Sequence, residues 1–480
     1  MELLFIIASF IGTALIIVLI KNRLVIELLS IGASFVAFIS SVFIALKVSV
    51  FGIYTPLVFL SVDSLGSIIM LIIGLICLAT TIYSVEYLRQ ETSKNIIGFT
   101  RVKQYFILLN LFLMSMFLAA SANNPIFAWI FIEATTLSTA FLISFYNKPS
   151  SLEAAWKYLI INSIGLLLGF LGTLLYFTTT TNLGGNDFVS WQFLQDNAHN
   201  FDPMVAKIAF IFVLIGYGTK VGLVPMHTWK PDAYSKAPAP IGALLSGALL
   251  PVAFAVILKL KVITDIAVGP LFSHNLLIFF GVLSIAVAAL IMFNAKNYKR
   301  LLAYSSIENA GVMAFGFGLG GLGVFAATLH MIYHSFVKVV LFLSSGNLLL
   351  RYNSDKIKNV KGALSVVPVT SVLFISGFLI VTGTPPFGIF LTKMQILSVG
   401  INTHPVASII ALFFMAIVFI GFLKHVTSMF FEEKQVDIEI SDKHIWLIIP
   451  PLIFLVLVFG LSFYIPPFLY TLISDVAVKY

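Results

Sequence analysis

"FIFVLIGYGTKVGLVPMHTWKPDAY", residues Phe210 to Tyr234, begins as an apolar helix suited to lipid and then departs from that pattern twice. Lys220 sits ten residues in, and Pro225 follows five residues later. An ammonium group inside hydrocarbon costs about 2.5–3.5 kcal/mol on insertion scales. Proline removes a backbone donor and breaks the helix that carries it. The rest of the sequence has to explain why both occur in one apolar segment.

The chain has 480 residues, 60% of them hydrophobic and 10% charged, with a mean hydropathy of +1.05. A soluble protein carries about 25% charged residues. Apolar runs recur from end to end, each long enough to cross a ~30 Å hydrocarbon core as a helix. The first, Leu3 to Ile20, follows a glutamate and precedes no small-residue cleavage site, so it reads as a retained span and not a signal peptide. The expected fold class is therefore an all-α polytopic membrane protein embedded in a lipid bilayer.

Charged residues, prolines and glycines divide the runs into about fourteen spans, near 3–20, 24–46, 62–87, 104–121, 125–145, 154–178, 204–229, 239–259, 275–294, 301–319, 323–350, 365–400, 405–428 and 445–470. The longest polar loop is Asn182 to Pro203. A single membrane domain over 1–480 is the simplest organisation. Cys77, the single cysteine, lies within a span and reads as a packing residue. An iron–sulfur cluster needs about four ligands, so this chain is expected to bind no cofactor of that kind.

Lysine and arginine bias orients the spans. With the loop after the first span in the cytoplasm, odd-numbered loops hold 18 of the 28 basic residues, Lys230, Lys236 and Lys299 among them. The opposite side holds Lys47, Lys207, Lys259, Lys261 and Lys479, and its long loop adds Asp187, Asp196 and Asp202. Both termini are thus expected on the non-cytoplasmic side of the cell's inner membrane. The net charge of +8 is accounted for by topology and calls for no nucleic-acid partner.

The remaining basic residues are Lys157, Lys220, Lys338, Lys393 and Lys424. Lys424, near a span end, can snorkel. Glu133 and Glu308 are the acidic residues read as intramembrane, each eight residues past the opening Pro125 or Arg300 of its span. Such charges mark ion pathways. Their spacing repeats. Glu133 and Glu308 are 175 residues apart, Lys220 and Lys393 are 173 apart, and "AAWKYLIINS" (Ala154–Ser163) aligns with "AATLHMIYHS" (Ala326–Ser335) at an offset of 172. Both lysines lie on proline-broken spans: Pro225 follows Lys220, and "GTPPFG" (Gly383–Gly388) precedes Lys393. Segments 104–259 and 275–428 therefore read as two copies of five spans each, and the odd number inverts the second. Inverted repeats with matching broken helices point to a transport site at the bilayer midplane.

His330, His334 and Lys338 follow at i, i+4 and i+8, on one helical face. The pair of histidines has no carboxylate between them as a zincin motif would, so a hydrogen-bonded proton relay is preferred and no metal is expected. Burial disfavours a lysine's ammonium form and a nearby carboxylate restores it, so a buried lysine beside a glutamate can load and release a proton. "GFGLGG" (Gly316–Gly321) matches GxGxxG without any preceding strand and reads as a turn between helices.

With these residues in view, the chain resembles the antiporter-like, proton-translocating subunits of respiratory complex I, a superfamily shared with membrane-bound nickel–iron hydrogenases and multisubunit cation/proton antiporters. The resemblance runs from about residue 60 to 430. It is carried by "IFIEATTLST", "YGTKVGLVPMHTWKPDAYSKAPAPIGALLSG", "NYKRLLAYSSIENAG", "HMIYHSFVKVVLFLSSGNL" and "GTPPFGIFLTK". "AYSSIEN", with Glu308, is most similar to the hydrogenase-4 (formate hydrogenlyase) component F branch. The resemblance implies that Glu133 tunes Lys220, that His330, His334 and Lys338 form a relay, that Lys393 is the exit lysine, and that Lys157 lies near the first pair. Many relatives carry a lysine after "GALL"; this chain has Pro251 there, and Lys259, two turns on, lies near the helix end.

The function expected is a non-redox, proton-translocating subunit of an electron-transfer complex, NADH:quinone oxidoreductase-like or hydrogenase-like. Its partners would be other membrane-arm subunits and a peripheral arm carrying Fe–S clusters. The alternatives are a sodium/proton antiporter module using the same half-channels, and a scaffold that does not pump, for which Pro251 speaks.

Overall fold

The computed structural model describes residues 1–178, 189–433, 442 and 444–480. Asp187, Lys434, Lys443 and the first part of the loop from Asn182 lie outside the described residues. The helices are α1 (Glu2–Leu19), α2 (Arg23–Phe51), α3 (Ser64–Ser93), α4 (Phe99–Ser121), α5 (Pro125–Ile143), α6 (Pro149–Thr178), α7 (Trp191–Asn197), α8 (Pro203–Val221), α9 (Trp229–Lys236), α10 (Ala239–Leu244) and α11 (Leu250–Val268). They continue with α12 (Pro270–Met292), α13 (Tyr298–Gly318), α14 (Leu322–Tyr352), α15 (Ala363–Val366), α16 (Pro368–Thr382), α17 (Gly388–Thr403), α18 (Pro405–Phe430), α19 (Ile445–Phe463) and α20 (Pro467–Lys479). A small antiparallel hairpin, β1 (Tyr54–Leu57) with β2 (Leu60–Val62), joins α2 to α3.

Local chemistry sets the boundaries. The side chains of Asn124 and Asp202 accept from the first backbone N–H groups of α5 and α8, and a proline follows each at the first helical position. Asn22, Asp63 and Asn297 cap α2, α3 and α13 in the same way. α8 and α16 both end on a glycine in the left-handed region, Gly222 (φ 83°) and Gly383 (φ 87°), where a side chain would be strained.

Among the described residues, twelve helices are long and apolar enough to cross a membrane, counting α10 and α11 with the π-helical turn Leu245–Leu249 between them as one. Of the fourteen expected spans, 301–319 corresponds to α13, whose polar run around Ser305–Asn309 keeps it off that count. The 365–400 span is two short helices, α16 and α17, and 445–470 divides into α19 and α20. Burial sorts the bundle: the most apolar windows of α10–α11 and α14 are 100% and 94% buried, whereas those of α1, α18 and α19 are 33%, 33% and 28% buried. The first pair forms the axis, and the rest present apolar side chains outward to lipid.

Four lysines read as loop residues are buried instead. Lys230 and Lys299 are 1% and 2% exposed, and Lys259 and Lys261 are 7% and 1% exposed. The polar-looking stretch after Pro225 folds back into the bundle as α9, α13 begins already at Tyr298, and α11 continues to Val268.

Candidate functional site

α6 and α8 pack closely enough that a Cβ on Gly165 would come within 2.6 Å of the Thr219 side chain, and one on Gly172 within 2.6 Å of the Ala209 carbonyl oxygen. Small residues permit such backbone approach between membrane helices. The approach brings Tyr158 of α6 to Lys220 of α8. Lys220 is buried, and its Nζ donates to the Tyr158 hydroxyl (2.8 Å) and to Thr136 Oγ1 (2.9 Å) on α5. Thr136 Oγ1 in turn donates to Glu133 Oε2 (3.2 Å), and Ser163 Oγ donates to Glu133 Oε1 (2.8 Å). Glu133 and Lys220 thus communicate through one hydroxyl and not by direct contact. On its other side Tyr158 pairs with Thr139 Oγ1 (2.6 Å), which donates to the Thr135 carbonyl (2.6 Å).

The second broken helix is arranged differently. Lys393 of α17 makes a direct ion pair with Glu308 of α13, Nζ to Oε1 at 2.9 Å, with both side chains buried. Its Nζ also faces the Val381 and Thr382 carbonyl oxygens, each at 3.4 Å, which the end of α16 leaves without helical partners. Asn309 Nδ2 donates to Glu308 Oε2, and Asn309 Oδ1 lies 3.0 Å from His330 Nε2. His330 Nδ1 is 2.9 Å from Thr392 Oγ1, beside Lys393 on α17. Lys338, one face of α14 with the histidines, donates to the Leu302 carbonyl oxygen (3.0 Å) and Ser305 Oγ (2.8 Å) on α13. His334, between them and fully buried, has no hydrogen-bond partner at either ring nitrogen among the described residues. A polar file therefore runs from Lys393 through Glu308, Asn309 and His330 to the level of His334 and Lys338.

Of the residues singled out in the sequence, Glu133 with Lys220, and Glu308, Lys393, His330, His334 and Lys338, come together as two clusters. Lys157 joins neither. It stands half-exposed at the edge, paired with Glu153 (2.6 Å) and Asp232 (3.4 Å). Lys259 lies near the end of α11, 3.6 Å from Asp63 and over the Trp191 ring at 5.4 Å. "GFGLGG" closes α13 and opens α14 as a turn. Cys77 is buried, its thiol on the Gly74 carbonyl.

The order of lysine and break read from the sequence holds in the structure. Lys220 precedes the break in its helix and Lys393 follows the break in its own. The side chain that packs as Lys393 does is Lys230. A Cβ on Gly383 would meet Lys393 Cδ at 3.1 Å, and one on Gly222 would meet Lys230 Cδ at 2.7 Å. The 172-residue offset was the better guide, since it sets Tyr158 opposite His330 and Asn162 opposite His334. Tyr158 and His330 each hold a hydrogen bond inside their cluster. Among the described residues, Asn162 Oδ1 and both His334 nitrogens are each buried without a partner. Of the two expected carboxylates Glu308 is fully buried and Glu133 only partly so; two further buried carboxylates are Glu27, held by Arg23 (2.7 Å) and Arg89 (2.5 Å), and Glu91, bonded by the Tyr146 hydroxyl (2.5 Å), with Oε2 unpartnered among the described residues.

Two broken helices, each carrying buried lysines against a glutamate and intramembrane hydroxyls, define a particular kind of membrane domain, and comparison with known proteins agrees. The family described as NADH:quinone oxidoreductase/Mrp antiporter, transmembrane, matches residues 122–421. The chain belongs to this family. A hydrogenase-4 component F homolog from Methylacidiphilum infernorum is 34% identical over 438 residues, 90% of either chain. A subunit of an archaeal membrane-bound sulfane sulfur reductase complex superposes with a TM-score of 0.87 over 100% of this chain and 96% of that one, at 21% identity. A subunit of the Mrp complex from a Dietzia species gives 0.86 over 99% and 96%, at 18% identity. The chain is an antiporter-like membrane subunit, of the kind found in complex I-like and hydrogenase-type assemblies.

In this antiporter-like subunit the matched region contains both clusters, while α1 to α4, α19 and α20 lie outside it. A cleft of about 680 Å3 opens at the end where the α5–α6 and α12–α13 turns lie, lined among others by Glu91, Lys148, Lys236, Lys299 and Lys356. At its floor Lys299 Nζ donates to the Ala237 carbonyl oxygen (3.2 Å) that ends α9. Among the described residues, no three His, Cys, Asp or Glu side chains gather as a metal site.

Proposed function

We propose that this chain translocates protons for an electron-transfer complex, with the redox reaction and its Fe–S clusters in partner subunits. One observation carries the reading: the buried Lys393–Glu308 pair at 2.9 Å sits on the freed carbonyls of a broken helix and continues through Asn309 to His330, which shares one face of α14 with His334 and Lys338. Each member can hold, pass or orient a proton, and the broken helix admits polar groups where a continuous one would seal the membrane. The family membership and the hydrogenase-4 component F homolog support placing the chain in such a complex.

Protons fit better than sodium. In each cluster a lysine ammonium already occupies the oxygen-lined position, Lys220 on Thr136 and Tyr158 and Lys393 on Glu308 and two carbonyls, and it repels a metal cation there. The lysine-lined cleft faces the side that charge bias assigns to the cytoplasm, so uptake is placed there and both termini on the opposite face of the cytoplasmic membrane. Segments 104–259 and 275–428 act as two inverted half-channels in this reading, with Glu133 setting the proton affinity of Lys220 in the first. The test is Lys220→Ala in the assembled complex in proteoliposomes. Redox turnover should persist while the protons contributed by this chain are lost. Unchanged proton yield would overturn the reading, and translocation that follows sodium concentration would replace it with cation antiport.

A further inference from the structure

Lys230 takes part in neither cluster, yet α9 carries it between them. It is 1% exposed, and among the described residues no carboxylate lies within ion-pairing distance of it. Its stem crosses Gly222, and its Nζ donates to the Val221 carbonyl oxygen at 2.7 Å, one residue beyond Lys220. The preceding Trp229 packs edge-on against Tyr158 (5.1 Å), the phenol that binds Lys220, and donates to the Thr219 carbonyl oxygen (2.9 Å). One end of α9 is thereby fixed to the first cluster.

The other face of α9 leads to the second. Lys230 Nζ lies 5.6 Å from the centre of the Tyr234 ring. The Tyr234 hydroxyl donates to the Leu245 carbonyl oxygen (3.0 Å) at the start of the π-helical turn. That turn places Ser246 Oγ 2.8 Å from Ser306 Oγ on α13. Ser306 Oγ donates to the Leu302 carbonyl oxygen (3.0 Å), the same oxygen that receives Lys338 Nζ at 3.0 Å. Lys230 is also close enough for its charge to act on His334, Lys338 and His227. Pro251, meanwhile, offers no titratable group on α11.

We propose that Lys230 is the proton-carrying group that joins the two halves of this subunit. The inference rests on the proton-translocating reading above. In the step, the Lys220 ammonium gives up one proton and becomes an amine, and the Lys230 amine takes it and becomes an ammonium. Lys230 then returns to an amine as Lys338 is protonated, with Tyr234, Ser246 and Ser306 lining the way. Proton number is conserved and no oxidant or reductant is involved. The competing structural role is a helix-end cap, since a lysine bonding the last carbonyls stabilises the end of α8.

Arginine separates the two. Lys230→Arg keeps the charge and the donor to Val221 but holds its proton at any working pH. The whole complex is reconstituted in proteoliposomes, and protons per redox turnover are measured for the wild type, Lys220→Ala, Lys230→Arg and Lys230→Met. The expected result is that Lys230→Arg and Lys230→Met lose as much proton yield as Lys220→Ala, with the complex assembled. If Lys230→Arg retains wild-type yield while Lys220→Ala does not, Lys230 is a cap and the inference falls alone. If Lys220→Ala retains it, the translocation reading falls first. Should Lys230→Met fail to assemble, Lys230→Arg decides.

Discussion

Replacing Thr136 by valine keeps the branched shape of the side chain and removes only its hydroxyl. That hydroxyl is the sole described link between Lys220 (2.9 Å) and Glu133 (3.2 Å). A hydrogen bond to a charged group contributes about 1.5–3 kcal/mol. Losing the Thr136 acceptor therefore disfavours the Lys220 ammonium by that amount relative to its amine, leaving Tyr158 as its partner. At about 1.36 kcal/mol per tenfold change, the ratio of charged to neutral lysine falls roughly 10- to 150-fold. Glu133 keeps Ser163 and loses its path to Lys220. The assay is acidification of proteoliposomes containing the complex, normalised to redox turnover, with Thr136→Ser as the control that restores a hydroxyl. Thr136→Val should lose most of the proton yield that depends on Lys220, and Thr136→Ser should recover it. Wild-type yield in Thr136→Val would show that Glu133 does not govern Lys220 through this hydroxyl.

Two further outcomes follow from other contacts. Glu308→Gln removes the carboxylate from Lys393 and leaves a buried lysine facing carbonyls at 3.4 Å, at a cost of about 3–5 kcal/mol if it stays charged; a lower melting temperature of the complex together with lost proton yield is expected, and a Glu308→Gln complex as stable as wild type would show that Lys393 gives up its proton there. Asp63 caps α3 (Oδ1 to Gly66 N–H, 2.9 Å) and receives Lys259 (3.6 Å), Lys479 (3.5 Å) and the Tyr480 hydroxyl (2.9 Å). Burial opposes its charge, but the two ammonium groups hold its carboxyl well below the usual carboxylate range. A depressed carboxylate contributes stability that is full above the unfolded value, near 4, and is lost as pH falls through the folded value; Asp63→Asn should lower the melting temperature at pH 7 and flatten its decline below about pH 4, and an unchanged melting temperature at pH 7 would count against the cluster.

The lipid-spanning class was legible in the apolar background itself, and the two broken helices and some of the buried charges were legible as violations of it. Lys220, Lys338, Lys393 and Glu308 stand out for that reason. Lys230 and Lys299 did not, because "HTWKPDAYSKAP" and "NYKR" have the composition of solvated loops, and only tertiary packing of α9 between α6 and α13 reveals them as interior. Thr136 was invisible for a different reason. Hydroxyls are ordinary residues in membrane helices, and a bridging role is a matter of distance. That Lys220 precedes its break and Lys393 follows its own was legible from Pro225 and "GTPPFG"; that Lys230 packs on Gly222 as Lys393 does on Gly383 is a matter of tertiary contact.

The two lysine–glutamate arrangements also fix an energy scale. Bonds of 2.9 and 3.2 Å through Thr136 set Lys220 and Glu133 at most about 6 Å apart, against 2.9 Å for Lys393 and Glu308. At an effective dielectric constant near 20, the difference in attraction is at most about 3 kcal/mol. Carrying one elementary charge through 100 mV takes about 2.3 kcal/mol. The free energy that separates a closed lysine–glutamate pair from a bridged one is therefore of the same order as the work of moving a single proton against an ordinary membrane voltage.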